Sequence, residues 1–527
     1  MARRDVAIEI FAPTEGIHKE LGASMITPRS TPSVQNANAY YGVVQKDYGT
    51  SLFVTGTVPA AVVALYEANF AASPTFEAFT STGMYKVGAG TFAVDSIAYT
   101  ADATSPWKCC MHNEAMFFTQ GKNLLQYKAT YTATGTNCPS ASSGSFMALD
   151  VVSFKEHLNI YHTTEGGTGC PKRVRWTKSG LLGYTQTDFG TGTASFLDLQ
   201  DADGDILAAG PIGLGAVAIY AEDSVHQQEW VGSDPVFRFT KVIRKAGIPT
   251  RQCFAIKGDL HYVLTRYGIF EYRGGTDWID ISKPIRADWV STLNATYMNK
   301  SYIQYVQDDD EIRAYVPSIS ATDIDTVYIC KLSDDYAWYK SNRNYTACGV
   351  FARPASLKIG ELIGNIGAQN WRFGDMRLAL GAKIDLLGDK SGRVVKIDRT
   401  VYSVSESGTS SAQTFLFNTK DLSSIGDIDP LRRSRYDVSQ YMDNNSRWLT
   451  AVVEAKGNGT LQVLYSIDGG DSFNTIGTTT VSSTWVMHRF DFDCAAPRCM
   501  LQLKNIGTNE VVHIRYVKLE FIPGSEN

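Results

Sequence analysis

The fold is decided by residues 253–275, CFAIKGDLHYVLTRYGIFEYRGG, in which three short apolar runs are separated by glycine-containing gaps. The runs, Cys253–Ile256, Leu260–Leu264 and Ile269–Tyr272, are rich in the β-branched and aromatic residues that favour strands. Each gap holds a glycine, which tolerates the positive φ angles of tight turns. Because the runs are too short for helices, the stretch predicts an antiparallel meander of three strands.

The same pattern of apolar run, turn and apolar run recurs along residues 58–400. Its turns fall near Gly83, Gly121, Glu156, Asp223, Gly268, Thr322 and Gly392. A four-stranded propeller blade takes ~40–50 residues, and most of these turns are about one blade apart. The chain is therefore predicted to be all-β, with a β-propeller of six or seven irregular blades over 58–400. A pair of β-sandwiches is the alternative that this strand pattern also allows.

The flanking regions differ in composition from the repeated region. Residues 1–57 are polar and interrupted by proline and glycine, which predicts an extended N-terminal arm and first strand that closes a domain or reaches a neighbour. Residues 401–430 are rich in Ser, Thr, Gly and Asp, which predicts a linker or hinge loop. Strand patterns return in residues 431–527, and they predict a C-terminal β-sandwich, jelly-roll-like.

Composition excludes several classes of protein. The hydrophobic fraction of 44% and charged fraction of 20% are those of a folded soluble protein. The net charge of −5 and the lack of a basic stripe argue against a protein that reads DNA sequence, although a passive DNA conduit is compatible with them. The longest apolar stretch, Ile206–Ala221, is broken by glycine and proline, so no membrane span is expected. The start of the chain lacks the apolar core of a signal peptide.

The nine cysteines include no CxxC pair, which argues against a zinc ribbon and predicts reduced thiols in a protein folded in cytoplasm. The eight histidines are scattered, and no HExxH, GxSxG or Walker A motif is present. No catalytic, cofactor-binding or metal-binding residue is therefore predicted, and the chain is not expected to be an enzyme.

The most specific short motif is Ser466–Phe473, which fits the Asp-box pattern S-x-D-x-G-x-[ST]-[WF] of sialidase-like propellers. In this motif the Asp side chain accepts hydrogen bonds from turn amides, and the glycine adopts a positive φ. The motif is predicted to build a turn and not a catalytic site. A sialidase would need repeated boxes and several arginines converging on a carboxylate.

Three charged clusters have alternative interpretations. Asp198, Asp201, Asp203 and Asp205 resemble a loop for a hard cation, but an acidic turn is the favoured interpretation. The run Asp308–Glu311 is expected to be a solvated hairpin tip. Two basic clusters could touch phosphate or the acidic rim of a partner, or could be ordinary surface. They are Arg432, Arg433 and Arg435, and Lys172, Arg173 and Arg175.

Taken together, five stretches resemble one family, the nozzle, tail hub or packaged-DNA stabilisation proteins of short-tailed phages. Gly16–Ala37 followed by Tyr41-Gly42 is similar to the leading arm of these proteins. Ser153–Gly180 resembles a blade, and Asp201–Ile206 with Gly213–Val225 resembles an acidic turn and the hairpin after it. Tyr262–Ile279 and Tyr465–Phe473 complete the ordered set.

This resemblance implies a structural virion protein of a phage tail, assembled in the host cytoplasm as a homo-oligomeric ring, expected to be a hexamer. The ring would lie below the portal and adaptor, contact other tail proteins (fibre, spike or needle), extend the DNA channel without sequence-specific binding, retain packaged DNA and take part in genome ejection. A carbohydrate-binding or glycan-cleaving propeller that acts as a receptor-binding tail protein is the alternative.

Overall fold

The computed structural model of the chain describes most of its length. The described residues are 6–10, 12–40, 42–70, 73–81, 83–87, 91–95, 107–138, 146–180, 189, 192–232, 235–352, 383–406, 409–423 and 445–522. They are almost entirely strands and turns. Helical structure is confined to one α-helix, α1 (Arg286–Thr292), and short 3-10 turns that include Lys283–Ile285 and Ala295–Lys300.

The N-terminal segment supplies seven short strands. They are β1 (Val6–Ile10), β2 (Gly16–Ile17), β3 (Ser30–Thr31), β4 (Val34–Gln35), β5 (Ala37–Tyr40), β6 (Val43–Lys46) and β7 (Gly49–Leu52).

Seven antiparallel blades of four strands each follow and form a β-propeller; six are separate four-stranded sheets, and blade 6 is extended to six strands by β2 and β3. Blade 1 is β8 (Val62–Phe70), β9 (Ser73–Thr80), β10 (Met84–Val87) and β11 (Phe92–Asp95). Blade 2 is β12 (Lys108–His112), β13 (Ala115–Thr119), β14 (Gln126–Lys128) and β15 (Thr136–Asn137). Blade 3 is β16 (Phe146–Phe154), β17 (His157–Glu165), β18 (Thr168–Trp176) and β19 (Ser195–Asp198). Blade 4 is β20 (Ile206–Ile212), β21 (Ala216–Ala221), β22 (Ser224–Trp230) and β23 (Phe237–Arg244).

Blade 5 is β24 (Phe254–Lys257), β25 (Leu260–Thr265), β26 (Gly268–Gly274) and β27 (Asp277–Asp280). Blade 6 is β28 (Tyr302–Val306), β29 (Glu311–Val316), β30 (Thr326–Lys331) and β31 (Ala337–Asn342). Blade 7 combines β32 (Tyr345–Ala352), β33 (Lys383–Asp389) and β34 (Val394–Asp398) with β7 from the N-terminal segment. The stretch 253–275 thus supplies the first three strands of blade 5, and its three predicted strands are confirmed with boundaries shifted by no more than two residues.

The first strand of each blade is the innermost, since first strands of successive blades contact one another: β8 with β12, β12 with β16, β16 with β20, and β32 with β8. The ring closes through β7, which pairs antiparallel with β34 so that Ser51 lies opposite Lys396. Two side-chain hydrogen bonds fix this closure. Thr50 Oγ1 lies 2.6 Å from the Tyr345 hydroxyl, and Ser51 Oγ donates to Asp398 at 2.6 Å.

The remaining strands form a β-sandwich. They are β35 (Ser403–Glu406), β36 (Thr409–Ala412), β37 (Phe415–Asn418), β38 (Leu422–Ser423), β39 (Ser446–Gly457), β40 (Thr460–Ser466), β41 (Asn474–Thr480), β42 (Val486–Ala496), β43 (Arg498–Asn505) and β44 (Val512–Ile522). One sheet runs β42-β39-β44-β6-β5, with β1 on β44. The other runs β4-β37-β43-β40-β41, with β38 on β43. The hairpin β35–β36 is a separate two-stranded sheet, and β35 contacts β7.

The N-terminal segment, predicted as an extended arm and first strand over 1–57 that closes a domain or reaches a neighbour, contributes strands to both domains. Strands β1, β4, β5 and β6 belong to the sandwich, β2 joins the edge of blade 6 beside β31, and β7 closes blade 7. Strands β35 to β38 lie within the region predicted as a linker or hinge loop over 401–430, of which residues 407–408 and 424–430 lie outside the described part. Composition missed these strands, since short polar strands lack the apolar alternation that identifies longer ones.

One apolar core runs from the propeller into the sandwich. Buried side chains of blades 4, 5 and 6, among them Tyr262 and Trp338, belong to the same packed cluster as Trp448 and Phe521 of the sandwich and Ile8 of β1. Burial of large aromatic side chains is a major source of folding free energy, so the two domains stabilise one another.

Candidate functional site

The propeller axis is the first candidate site, because a propeller pore is a natural place for a ligand or a conduit. Four side chains converge there, and we call them the axial cluster: Lys108, Asp150, Arg251 and Phe254. They come from blade 2, from blade 3, from the loop before blade 5 and from blade 5 itself.

The axial cluster joins blades that are not neighbours in the ring. The Lys108 Nζ lies 4.8 Å from the centroid of the Phe254 ring, which connects blade 2 to blade 5. The same ammonium is 3.7 Å from the carboxylate of Asp150. Arg251 donates to the backbone carbonyls of Leu149 and Gln120, the latter at 3.1 Å.

Hydrogen bonds of Gln252 also cross the axis. Its Nε2 donates to the carbonyl of Val63 in blade 1 at 3.1 Å, while its own carbonyl accepts from the N–H of Ile303 in blade 6 at 3.1 Å. Gln252 itself precedes blade 5. Blades 1 and 5 lie on opposite sides of a seven-membered ring, so the hydrogen bond to Val63 spans it, while the one from Ile303 joins neighbouring blades.

Burial sets the electrostatics of the axial cluster. Asp150 is fully buried and accepts from the backbone N–H groups of Val151 at 2.7 Å and Ala209 at 2.8 Å. Burial raises the pKa of this carboxyl, and the nearby charges of Lys108 and Arg251 act in the opposite direction. Through Ala209 and Lys108, the Asp150 carboxylate joins blade 3 to blades 4 and 2, and a buried carboxylate requires partners of this kind.

The axial cluster and Gln252 together close the propeller axis at this level. The major groove of DNA alone is about 12 Å wide, whereas hydrogen bonds of about 3 Å cross the ring from blade to blade. A duplex therefore does not pass along the axis of a single propeller.

A second buried cluster, which we call the junction network, ties the N-terminal segment to blade 6. It consists of Asp47, Glu311, Arg313, Lys331 and Arg343, each no more than 2% exposed. The Asp47 carboxylate lies 2.7 Å from the Arg343 guanidinium and 3.6 Å from that of Arg313. Glu311 lies 3.0 Å from Arg313 and faces Lys331 across the β29–β30 ladder at 3.9 Å.

Neighbouring groups complete the junction network. Ser341 donates to Asp47 at 2.9 Å, and the Tyr40 hydroxyl donates to Glu311 at 3.1 Å. The Lys331 ammonium lies 2.8 Å from the centroid of the Tyr40 ring, in a cation–π contact. Strand β5, which carries Tyr40, also belongs to the sandwich, so the network lies where the sandwich, the N-terminal segment and the propeller meet.

The pKa values in the junction network follow from burial and pairing. Burial opposes ionisation of Asp47, but the charges of Arg313 and Arg343 outweigh it and hold its pKa below the ordinary value of 3.8. Burial raises the pKa of Glu311 and lowers the pKa of Lys331 to about 8. These groups are enclosed and matched to one another, which is the arrangement of a structural ionic lock and not of a solvent-facing reaction site.

The run Asp308–Glu311 is only partly the solvated hairpin tip that the sequence predicted. Asp308 is half exposed and pairs with Arg399 at 3.2 Å, and Asp310 pairs with Lys257 at 2.5 Å. Glu311 is fully buried in the junction network. The prediction failed there because Arg313 and Lys331 compensate the charge, and a run of like charges does not reveal its partners.

The Asp-box prediction is confirmed as a turn. The carboxylate of Asp468 accepts from the Ser466 hydroxyl at 2.6 Å and from the Ser472 N–H at 3.0 Å. Gly469 and Gly470 both have positive φ. These hydrogen bonds, that of Ser466 first, lower the pKa of Asp468.

The aspartates of the acidic turn point to separate partners. Asp198 binds Arg173 through two hydrogen bonds of 2.7 and 2.8 Å, Asp203 pairs with Lys241 at 2.6 Å, and Asp201 lies 3.3 Å from His226. Asp205 makes no ion pair within the described part of the chain. Among the described residues, no group of three or more His, Cys, Asp or Glu side chains could hold a metal ion.

Of the two basic clusters, one is neutralised by nearby acceptors, and the other lies outside the described residues. Arg173 and Arg175 both pair with Glu165, and Lys172 donates to the carbonyl of Ala202 at 2.7 Å. Arg432, Arg433 and Arg435 lie outside the described residues. The nine cysteines are all described and are free thiols. No helix in the described ranges is long and apolar enough to cross a membrane.

Sequence reasoning did not identify Lys108, Asp150, Arg251, Asp47 or Arg343. Only one signal was available for any of them: Asp150 interrupts the apolar run of β16, and a charge inside a buried strand needs a partner. The others stand in ordinary polar surroundings along the chain.

No protein-family model and no curated protein matches the chain. Among solved structures, the chain is similar to YCF48 from Cyanidioschyzon merolae at 8% identity and a TM-score of 0.37, covering 66% of this chain and 98% of that one. The computationally designed Ika8 protein is similar at 11% identity and a TM-score of 0.35, with 69% and 96% covered.

A family 29 carbohydrate binding module matches at 12% identity and a TM-score of 0.14, with 20% of this chain and 60% of the module covered. At these identities and TM-scores, none of the three likenesses carries an argument about substrate or partner.

Proposed function

We propose that this chain is a structural subunit of the tail of a short-tailed phage. In this proposal it forms a homo-oligomeric ring, expected to be a hexamer, below the portal and adaptor. The ring extends the DNA channel, helps to retain packaged DNA and takes part in its ejection. The family resemblance of the five ordered stretches motivates the proposal.

The observation that carries the proposal is that every buried charged group described above joins elements to one another. The axial cluster and Gln252 close the pore, the junction network locks the N-terminal segment, and one core unites both domains. A subunit that transmits force and resists internal pressure needs such rigidity, whereas a catalyst needs an accessible polar site.

The closed axis determines where DNA would run. Because side chains of the axial cluster and of Gln252 cross the single propeller, the channel in this proposal lies between the subunits of the ring. A net charge of −5 per subunit suits such a channel, since DNA held by many phosphate contacts binds tightly and does not slide freely.

The alternative, a receptor-binding propeller, would present exposed aromatic side chains beside carboxylates for a neutral sugar. An aromatic groove does lie on this chain at Phe270 and Trp278, but the charged side chains beside it are the cations Arg244, Lys245 and Arg286. A glycan-binding role therefore lacks a specific supporting observation.

The proposal is tested by native mass spectrometry of the purified chain and by locating the chain in a density map of the virion. We expect a closed ring of six or twelve copies and density between the adaptor and the tail tip, with DNA outside the propeller axes. A monomer or trimer with affinity for host glycan would contradict the proposal, as would absence of the chain from the tail.

A further inference from the structure

A groove of about 440 Å³ lies on the outside of the propeller where blades 4 and 5 meet. One wall is the end of β23 with Lys245, and another is the turn between β25 and β26 with Tyr267. Phe270 and Trp278 of blade 5 line it, and Val290 of α1 forms its far rim. None of these side chains belongs to the axial cluster or the junction network.

The groove presents apolar surface that the fold does not cover. Phe270 and Trp278 stack on one another with ring centroids 5.0 Å apart and planes 24° apart. Tyr267 is 63% exposed and Val290 is 68% exposed. Clustered apolar side chains of this kind on a folded surface mark an interaction site, because leaving them in water is unfavourable.

The groove also carries excess positive charge. Arg244 and Lys245 form no ion pair with any described residue, although the charge of Arg244 helps to lower the pKa of Asp203. Arg286 at the opposite side pairs with Asp280. The groove therefore offers an apolar floor and unneutralised cations, which fits an occupant with an apolar tip and carboxylates beside it.

The chain itself contains a segment of that chemistry, the Asp-box turn Ser466–Phe473. Ile467 at this turn is 46% exposed, and neither Asp468 nor Asp471 forms an ion pair with any described residue. The turn has no basic residue, and its hydrogen bonds within the motif make it rigid. A rigid segment loses little conformational entropy when it docks.

We propose that the Asp-box turn of one copy of this chain docks into the groove between blades 4 and 5 of the next copy. Ile467 would cover the stacked pair Phe270 and Trp278, and Asp471 would face Lys245. The two surfaces lie on different domains, so the contact is heterologous and propagates into a ring when its rotation closes. This inference rests on the ring of the proposed function and names its subunit interface.

Charge-swapped variants of the full chain test the contact by sedimentation velocity over a range of concentrations at low salt. We expect Lys245→Glu and Asp471→Lys each to weaken association by roughly tenfold or more, because close like charges across an interface repel. The double variant Lys245→Glu/Asp471→Lys should recover most of the wild-type association. Arg29→Glu and Asp259→Lys, which change exposed charges elsewhere, should associate like the wild type.

The apolar part of the contact is tested separately with Ile467→Ser and Val290→Ser, which should each weaken association while unfolding at the wild-type temperature. The interface is overturned if the wild type does not associate, or if the single charge variants associate normally. It is also overturned if the double variant stays as weak as the single ones.

These results are distinguishable from a failure of the proposed function. If every variant still forms the ring and the chain is located in the virion tail, the proposed interface is wrong and the proposed function is retained. If the chain is absent from the tail, the proposed function is wrong, whatever the result of the charge-swapped variants.

Discussion

At the scale of single residues, Asp47 shows how burial and pairing are balanced. It is fully buried, and two guanidinium groups and the Ser341 hydroxyl compensate for the water it has lost. Removing one member of a buried ion pair leaves the others unpaired in a poorly solvating interior, which costs more than the pair itself contributes.

We therefore expect Asp47→Ala to lower the free energy of unfolding by about 3–5 kcal/mol, measured by chemical denaturation. Because the pKa of Asp47 is held below 3.8 in the folded protein, its contribution is present above pH 3.8 and is lost as the pH falls through the folded value. The difference in the free energy of unfolding between wild type and Asp47→Ala should therefore become smaller as the pH falls.

The matched control is Asp493→Ala, which removes an exposed partner of Arg447. An exposed pair contributes roughly 0–1 kcal/mol, so this variant should unfold almost like the wild type. If the two substitutions lower the free energy of unfolding equally, burial does not increase the contribution of Asp47 to stability.

At the scale of elements, β7 closes the propeller, and its first residue has no room for a side chain. A Cβ on Gly49 would overlap the backbone carbonyl oxygen of Ser403. By contrast, Gly169 in β18 has no atom within 4 Å of the corresponding position. Neither glycine has positive φ, so the two substitutions differ in available space and not in backbone preference.

Gly49→Ala is expected to destabilise the protein by about 1–3 kcal/mol, the usual cost of overpacking, while Gly169→Ala should stay within about 0.5 kcal/mol of the wild type. Limited proteolysis should detect the weakened closure as faster cleavage near β7 and β34. Equal stability of the two variants would mean that the closure tolerates displacement of β7.

Elements also show what sequence could and could not predict. Blade 5 was predictable because apolar runs and glycine-containing turns alternate along a single short stretch of sequence. For the N-terminal segment, the sequence predicted only that it closes a domain or reaches a neighbour. The pairing of β7 with β34 could not be predicted, since β7 is polar and β34 lies more than three hundred residues further on. The axial cluster was hidden for the same reason: Lys108 and Phe254 approach one another only after the ring has formed.

At the scale of the whole molecule, the propeller and the sandwich share one core and the junction network. Proteins of this size usually unfold in several steps. Here we expect differential scanning calorimetry to show one dominant transition, because the cluster that contains the buried side chains of the sandwich also contains those of blades 4, 5 and 6. Two well-separated transitions in the wild type would contradict this coupling.

The pairing of β1 with β44, in which Val6 lies opposite Phe521, has a consequence for biosynthesis. Ribosomes add ~5–20 residues per second, so Val6 waits roughly 25–100 s for its partner. During that time the apolar side chains of β1 have no sheet to join. The nascent polypeptide thus depends on chaperones, or on the polarity of its first fifty residues, to avoid aggregation until translation of the sandwich is complete.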